Sequence, residues 1–168
     1  MAQSGAAVGY LSPAYTNAFL APSSSPAKAN KLPVASLRNA ATRTDLVPTF
    51  QNAALAAGTV AAPTTLVRAR VQTNWVPIVS NPTLGYPISG TSEIILSQCY
   101  ANPSATSSIV NFLNTHYHSN AALIHGYGFD VVPATFLSEI GNDFLSDTHG
   151  FRLNIGNAVV CTGPVQGR

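Results

Sequence analysis

Charge is what this chain has least of. Asp, Glu, Lys and Arg make up 8% of its 168 residues, against about 25% in an ordinary globular domain. The net charge of +2 is too small to argue for nucleic acid as a partner. Charge-driven disorder is excluded too, because 46% of the residues are hydrophobic. No apolar run reaches the roughly 18 residues a membrane-crossing helix needs, so no transmembrane segment is expected. The opening Met1-Ala2-Gln3-Ser4-Gly5 lacks the basic stretch and apolar core of an export signal, so no signal peptide is expected. Cysteine is scarce: Cys99 and Cys161 form no CxxC pair, and no Cys/His spacing suggests zinc. There is no Walker-type glycine loop and no GxSxG elbow. The length suits one domain with a real core and is too short for two ordinary ones.

The few charges are unevenly placed. The first 80 residues hold six of the eight cations (Lys28, Lys31, Arg38, Arg43, Arg68, Arg70) against Asp45 alone. The remainder sets Arg152 and Arg168 against Glu93, Asp130, Glu139, Asp143 and Asp147. Opposite ends of opposite sign read either as attraction between copies or to an anion, or as ordinary surface solvation. Low charge also means little repulsion between copies, which leaves self-association open. The two cysteines read as a bridge in an oxidising compartment or as two buried thiols.

Hydrophobic periodicity lays out the elements. Residues 6–12 read as a short buried strand stopped by Pro13, and 13–33, with Pro22-Ser23-Ser24-Ser25-Pro26, as loop. Residues 34–43 read as a short strand or turn. Thr49 is placed to cap a helix through Gln51–Ala57, ended by Gly58. Leu66 alternating with Arg68 and Arg70 predicts a half-buried strand over 64–72. Trp75–Val79 reads as extended, 80–91 as turn-rich, and the continuous apolar middle of Ser92–Tyr100 as a central strand. Ser104 is the candidate cap of a helix whose stripe is Ile109, Val110, Phe112, Leu113 and Tyr117. Residues 121–128 read as extended or loop. Pro133 opens a second amphipathic helix with Phe136, Leu137, Ile140, Phe144 and Leu145 on its apolar face, and 151–156 as a last strand. Strands mixed with helices predict an α/β or α+β layer structure.

The chemistry-bearing residues are few. His116 and His118 lie two apart at a helix end, where helical spacing points them away from each other, and His125 and His149 are isolated. No metal site and no cofactor is expected. Glu139 and Asp143 fall four apart on the second helix, where they read as solvated carboxylates rather than an acid/base pair, so no catalytic residue is named. Ser89-Gly90-Thr91 is the one ligand-binding candidate. Such a turn presents backbone N–H and hydroxyl donors to an oxyanion, although here it precedes an apolar run rather than a helix.

The order of several short motifs resembles a known family. Val8-Gly9-Tyr10-Leu11-Ser12-Pro13 is followed by Trp75-Val76-Pro77, Gly85-Tyr86-Pro87-Ile88 and Ser97-Gln98-Cys99-Tyr100-Ala101. Then come Phe112-Leu113-Asn114-Thr115-His116-Tyr117, Phe129-Asp130-Val131-Val132-Pro133 and Ile155-Gly156-Asn157-Ala158-Val159-Val160-Cys161. The series is similar to the C-terminal half of the DING-type phosphate-binding proteins, relatives of the phosphate-binding component of bacterial phosphate ABC transporters. Residues 74–168 match well, and the loop-rich 1–73 matches loosely.

The resemblance implies an α/β fold, one part of the two-lobed type II periplasmic-binding-protein architecture, with residues 1–168 as a single domain. It implies a Cys99–Cys161 disulfide and a periplasmic or extracellular location. The family's phosphate-gripping positions precede the matched part, so the resemblance assigns no phosphate ligand to any residue here. The expectation is a phosphate- or anion-binding-protein-like chain, not an enzyme, that needs a partner chain to complete the cleft; a partner chain or a homo-oligomer is the association expected. The alternative is a self-assembling structural or interaction protein of the cell exterior. A phosphatase has no supporting residues, although the family has been linked to that activity.

Overall fold

A computed structural model of the chain describes Ala29 and residues 33–127 and 129–163. The strand expected over 6–12 and the Pro22–Pro26 loop lie outside the described residues. The chain divides into two units whose segments alternate along the sequence. One takes residues up to Thr59 with Val79–Ser89 and Ala121–Val131; the other takes Val60–Ile78, Gly90–Asn120 and Val132 onward.

The first unit is built around one buried amide. Strands β1 (Leu37–Arg38) and β2 (Asp45–Leu46) pair antiparallel, with Leu37 opposite Leu46 and Arg38 opposite Asp45. The Arg38 guanidinium forks onto the Asp45 carboxylate at 2.8 and 2.9 Å. Both groups are exposed, so this pair aligns the hairpin more than it stabilises it. Just after β1, Asn39 is fully buried. Its Oδ1 accepts from Ala41 N and Thr42 N at 2.9 and 3.0 Å. Its Nδ2 donates to Pro82 O and Gly85 O at 3.0 and 2.9 Å. One side chain thus closes the first turn and anchors the second, with its hydrogen-bonding capacity filled.

Helix α1 (Phe50–Ala57) starts where the sequence places it. Thr49 is extended, and its hydroxyl accepts from Asn52 N at 3.3 Å, satisfying one of the orphan donors of the first turn. The alanine-rich face, with Ala56 and Ala57 buried, lets backbone approach closely. Gly85 takes that place at φ +80, where a Cβ would run into the Asn52 carbonyl and the Ala56 backbone, and Tyr86 N donates to Asn52 O at 2.8 Å. Strands β3 (Val79–Ser80) and β4 (Ile88–Ser89) form the second antiparallel pair. Residues expected to be loop or extended over 121–128 instead open with helix α4 (Ala121–Gly126), whose His125 ring stacks on Phe50 with centroids 4.7 Å apart.

The regular structure of the second unit is helical among the described residues. Where a strand was expected over 64–72 there is a helical turn, α2 (Leu66–Ala69), then a 3-10 turn over Gln72–Trp75. The Thr65 hydroxyl accepts from Arg68 N, starting the turn. Half-buried Leu66 and buried Ala69 stand three apart while Val67 is exposed, which is helical rather than alternating burial. Helix α3 (Pro103–Ser119) is capped by Asn102, whose side chain accepts from Ser104 N at 2.9 Å, with Pro103 in the first turn. The cap is two residues earlier than the Ser104 expected, because Pro103 needs no N–H partner there. Helix α5 (Ala134–Ile140) widens into a π-turn over Gly141–Leu145. Leu113, Phe136, Ile140, Ala62 and Ala69 are buried apolar residues of this unit, and the Trp75 ring lies 4.5 Å from that of Phe144.

Two further expected strands are absent. Residues 151–156 are irregular. So is the run Ser92–Tyr100, expected as a central strand, in which residues 92–97 are exposed. Among the described residues no chain pairs with it, and an apolar run without a neighbour to complete its ladder does not become a strand.

Candidate functional site

The Ser89-Gly90-Thr91 candidate spans the end of one unit and the start of the other. Ser89 ends β4 in the first unit, and its hydroxyl donates to Tyr86 O at 3.2 Å. Gly90 and Thr91 belong to the second unit. The Thr91 hydroxyl is buried without a hydrogen-bond partner.

Cys99 and Cys161 are bonded to each other, and the surrounding contacts explain the two motifs that carry them. Gln98 donates through Nε2 to Arg152 O at 2.7 Å and accepts through its own carbonyl from Gly156 N at 2.8 Å. Gly156 has φ +74, and a Cβ there would sit 2.5 Å from Thr106 Cγ2 on α3. Buried Asn157 accepts from Val159 N and Val160 N at 3.0 and 3.1 Å and donates to Asn154 Oδ1 at 2.6 Å. Cys161 N in turn donates to Asn157 O at 2.8 Å. The Ser-Gln-Cys-Tyr-Ala and Ile-Gly-Asn-x-x-x-Cys segments are therefore the two sides of one structural knot, and their polar groups are spent on each other.

The concentrated ionisable chemistry lies elsewhere in the same unit. Glu139 comes from the last turn of α5 and Asp143 from the π-turn that follows it, four residues on. Tight turns after the helix, with Thr148 N donating to Asn142 O and Gly150 N to Asp147 O, bring His149 back over the same spot. His149 Nδ1 lies 2.9 Å from Asp143 Oδ1 and 3.6 Å from Glu139 Oε2. Asp143 is 1% exposed, and its Oδ2 and the Glu139 Oε2 are buried with no hydrogen-bond partner. These carboxylates are not the solvated pair the helical spacing suggested. Spacing placed Glu139 and Asp143 on one face, but it did not show that the widened turn carries that face inward. His149 was missed because only the turn-forming Ser146-Asp147-Thr148 and Gly150 around it indicate a chain reversal. A second histidine–carboxylate pair, His125 Nε2 to Asp130 Oδ1 at 2.7 Å, stands in the first unit, where Asp130 also accepts from Val131 N. His116 and His118 take no part in either.

No family model matches the chain. Alkaline phosphatase L of Pseudomonas aeruginosa is 34% identical over 131 residues, covering 69% of this chain and 33% of that protein. Among solved structures, a DING protein aligns with a TM-score of 0.62 at 28% identity over 75% of this chain. A high-affinity periplasmic phosphate-binding protein, solved with phosphate bound, aligns with 0.61 at 33% identity over 77%. Each match takes in 37% of the solved chain. The chain thus spans about a third of the length of the curated relatives it matches.

Proposed function

Taking as premise that this chain is kin to the DING-type phosphate-binding proteins over about a third of their length, we propose that it is one part of a phosphate-binding protein. In this reading residues 1–168 act as a single domain, a framework portion of the two-lobed cleft rather than the portion that grips the anion. The gripping residues come from a partner polypeptide. The working compartment is the periplasm or the cell exterior, where the Cys99–Cys161 bridge persists. The reading rests most on the match, in sequence and in fold, to a protein solved with phosphate bound. The motif residues Gln98, Gly156 and Asn157 hold a disulfide-linked knot together, which fits a framework role.

Isothermal titration with inorganic phosphate tests it. The expected result is no heat with the chain alone and saturable binding once the remaining two thirds of a relative is added as a second polypeptide. One-to-one binding by the chain alone would overturn the need for a partner, and silence in both arms would overturn the phosphate reading. The name of the P. aeruginosa relative favours a second reading, phosphatase activity. The expected outcome there is no turnover of a chromogenic phosphate monoester by the chain; sustained turnover would establish the enzyme instead.

A further inference from the structure

We propose that Glu139, Asp143 and His149 form a binding site for a divalent transition-metal ion of the Zn²⁺ class. The three residues each offer one ligand atom, and those atoms all lie within 4.8 Å of one another. Two carboxylates and one imidazole are a donor set that Zn²⁺ accepts, with bonds of about 2.0–2.2 Å. Tetrahedral geometry at that bond length sets ligand atoms ~3.3 Å apart. The separations from His149 Nδ1 to the two carboxylates, 2.9 and 3.6 Å, bracket this value.

Burial and satisfaction carry the argument further than distance does. Asp143 is buried, and one oxygen of each carboxylate is buried without a hydrogen-bond donor. Buried carboxylate oxygens left unpaired are costly, and the histidine has only one nitrogen facing them. A dication supplies the missing partners. The ligands are also held in place. The turn carrying His149 is pinned by Thr148 N to Asn142 O at 3.1 Å and by Ser146 Oγ to Gly141 O at 2.8 Å. The His149 ring packs against Phe151. Its side chain is 30% exposed, which gives an ion a route in and leaves a fourth position for water or a solvent anion. The disulfide removes both cysteines as competing ligands.

The test uses the whole chain, cleared of metal with a chelator, in phosphate-free buffer. Zn²⁺ is titrated calorimetrically, and Co²⁺ by its visible absorption. The expected result is one Zn²⁺ per chain, with a rise in Tm. His149→Ala and Asp143→Asn should each weaken binding by about 100-fold or more, since even loss of groups that merely support a ligand costs 10–100-fold. Asp143→Asn keeps the shape of a buried side chain, and His149→Ala changes an accessible one, so at least one variant should fold normally by circular dichroism. His116→Ala/His118→Ala should bind as the wild type does. No Zn²⁺ uptake, uptake unchanged in both cluster variants, or uptake lost only with His116 and His118 would each overturn the proposal. Overturned in any of these ways, the cluster is a histidine bridging two carboxylates. The result does not depend on whether the chain binds phosphate.

Discussion

Single residues fix the backbone where the chain reverses. Asn39 is the strongest case, because four hydrogen bonds from one buried amide join two turns more than 40 positions apart. Asn39→Ala would leave two turn N–H groups and the carbonyls of buried Pro82 and Gly85 without that partner. The expected loss, on the order of 3–5 kcal/mol, is readable as a lower urea midpoint. Asn39→Asp should be at least as damaging, since it sets a carboxylate against the Pro82 and Gly85 carbonyls. Gly156→Ala combines a left-handed backbone with a collision at Thr106, so a loss of at least ~2 kcal/mol is expected. Tyr117 sets an alkaline limit. Its partly buried hydroxyl has a pKa raised by desolvation above the ordinary 10.0. The folded state therefore holds this proton more tightly than the unfolded one, and stability falls as pH rises above about 10. Tyr117→Phe should flatten that fall in a series of melts between pH 8 and 11. Little of this residue-scale detail was legible in sequence. Gly156, Asn157 and Gln98 were marked only as parts of a resemblance, and their reasons are contacts between positions far apart in the chain.

At the scale of elements, local signals were read correctly where local chemistry decides. Thr49 at the head of α1 and Pro133 before α5 did what capping and proline geometry require. Apolar or alternating composition predicts strands at 64–72, 92–100 and 151–156, yet a strand exists only if another chain segment completes its hydrogen bonds. Ser92–Ser97 shows this most plainly, since Ile95 is 88% exposed and Ile94 and Leu96 are also exposed. Among the described residues its backbone amides from 92 to 96 have no backbone partner. Native-state hydrogen exchange should therefore find these amides nearly unprotected while those in the middle of α3 exchange orders of magnitude more slowly. Ile95→Glu should leave the circular dichroism spectrum and Tm unchanged and raise solubility, because it replaces an exposed apolar group in an edge-like segment. Strong protection at 92–96 in the isolated chain would mean that the segment pairs with another copy.

At the scale of the whole molecule, family likeness was legible because it resides in the order of short motifs, which survives where individual strands cannot be inferred. The candidate metal cluster was not legible, since it depends on a π-turn and a chain reversal that no single residue announces. What the likeness predicted most specifically is the covalent link, and its weight follows from chain length. Cys99 and Cys161 are 62 positions apart, and closing a loop of that length removes enough freedom from the unfolded chain to contribute about 4 kcal/mol in the chain-entropy model. That is a large share of the 5–15 kcal/mol typical of a folded domain. The bridge matters more here because the ends it ties, 97–101 and 151–161, have no strand ladder among the described residues and hold to each other through Gln98, Gly156 and Asn157. Reduction should therefore lower the urea midpoint and disorder the 151–161 loop before α3 and α5 melt. The readouts are denaturation curves with and without reductant and exchange protection at Gly156 N and Cys161 N. Two labels gained on alkylation of the native chain without reductant would refute the bridge. If instead the bridge is present and its reduction leaves the midpoint unchanged, the hydrogen bonds of the knot alone fix this end of the chain.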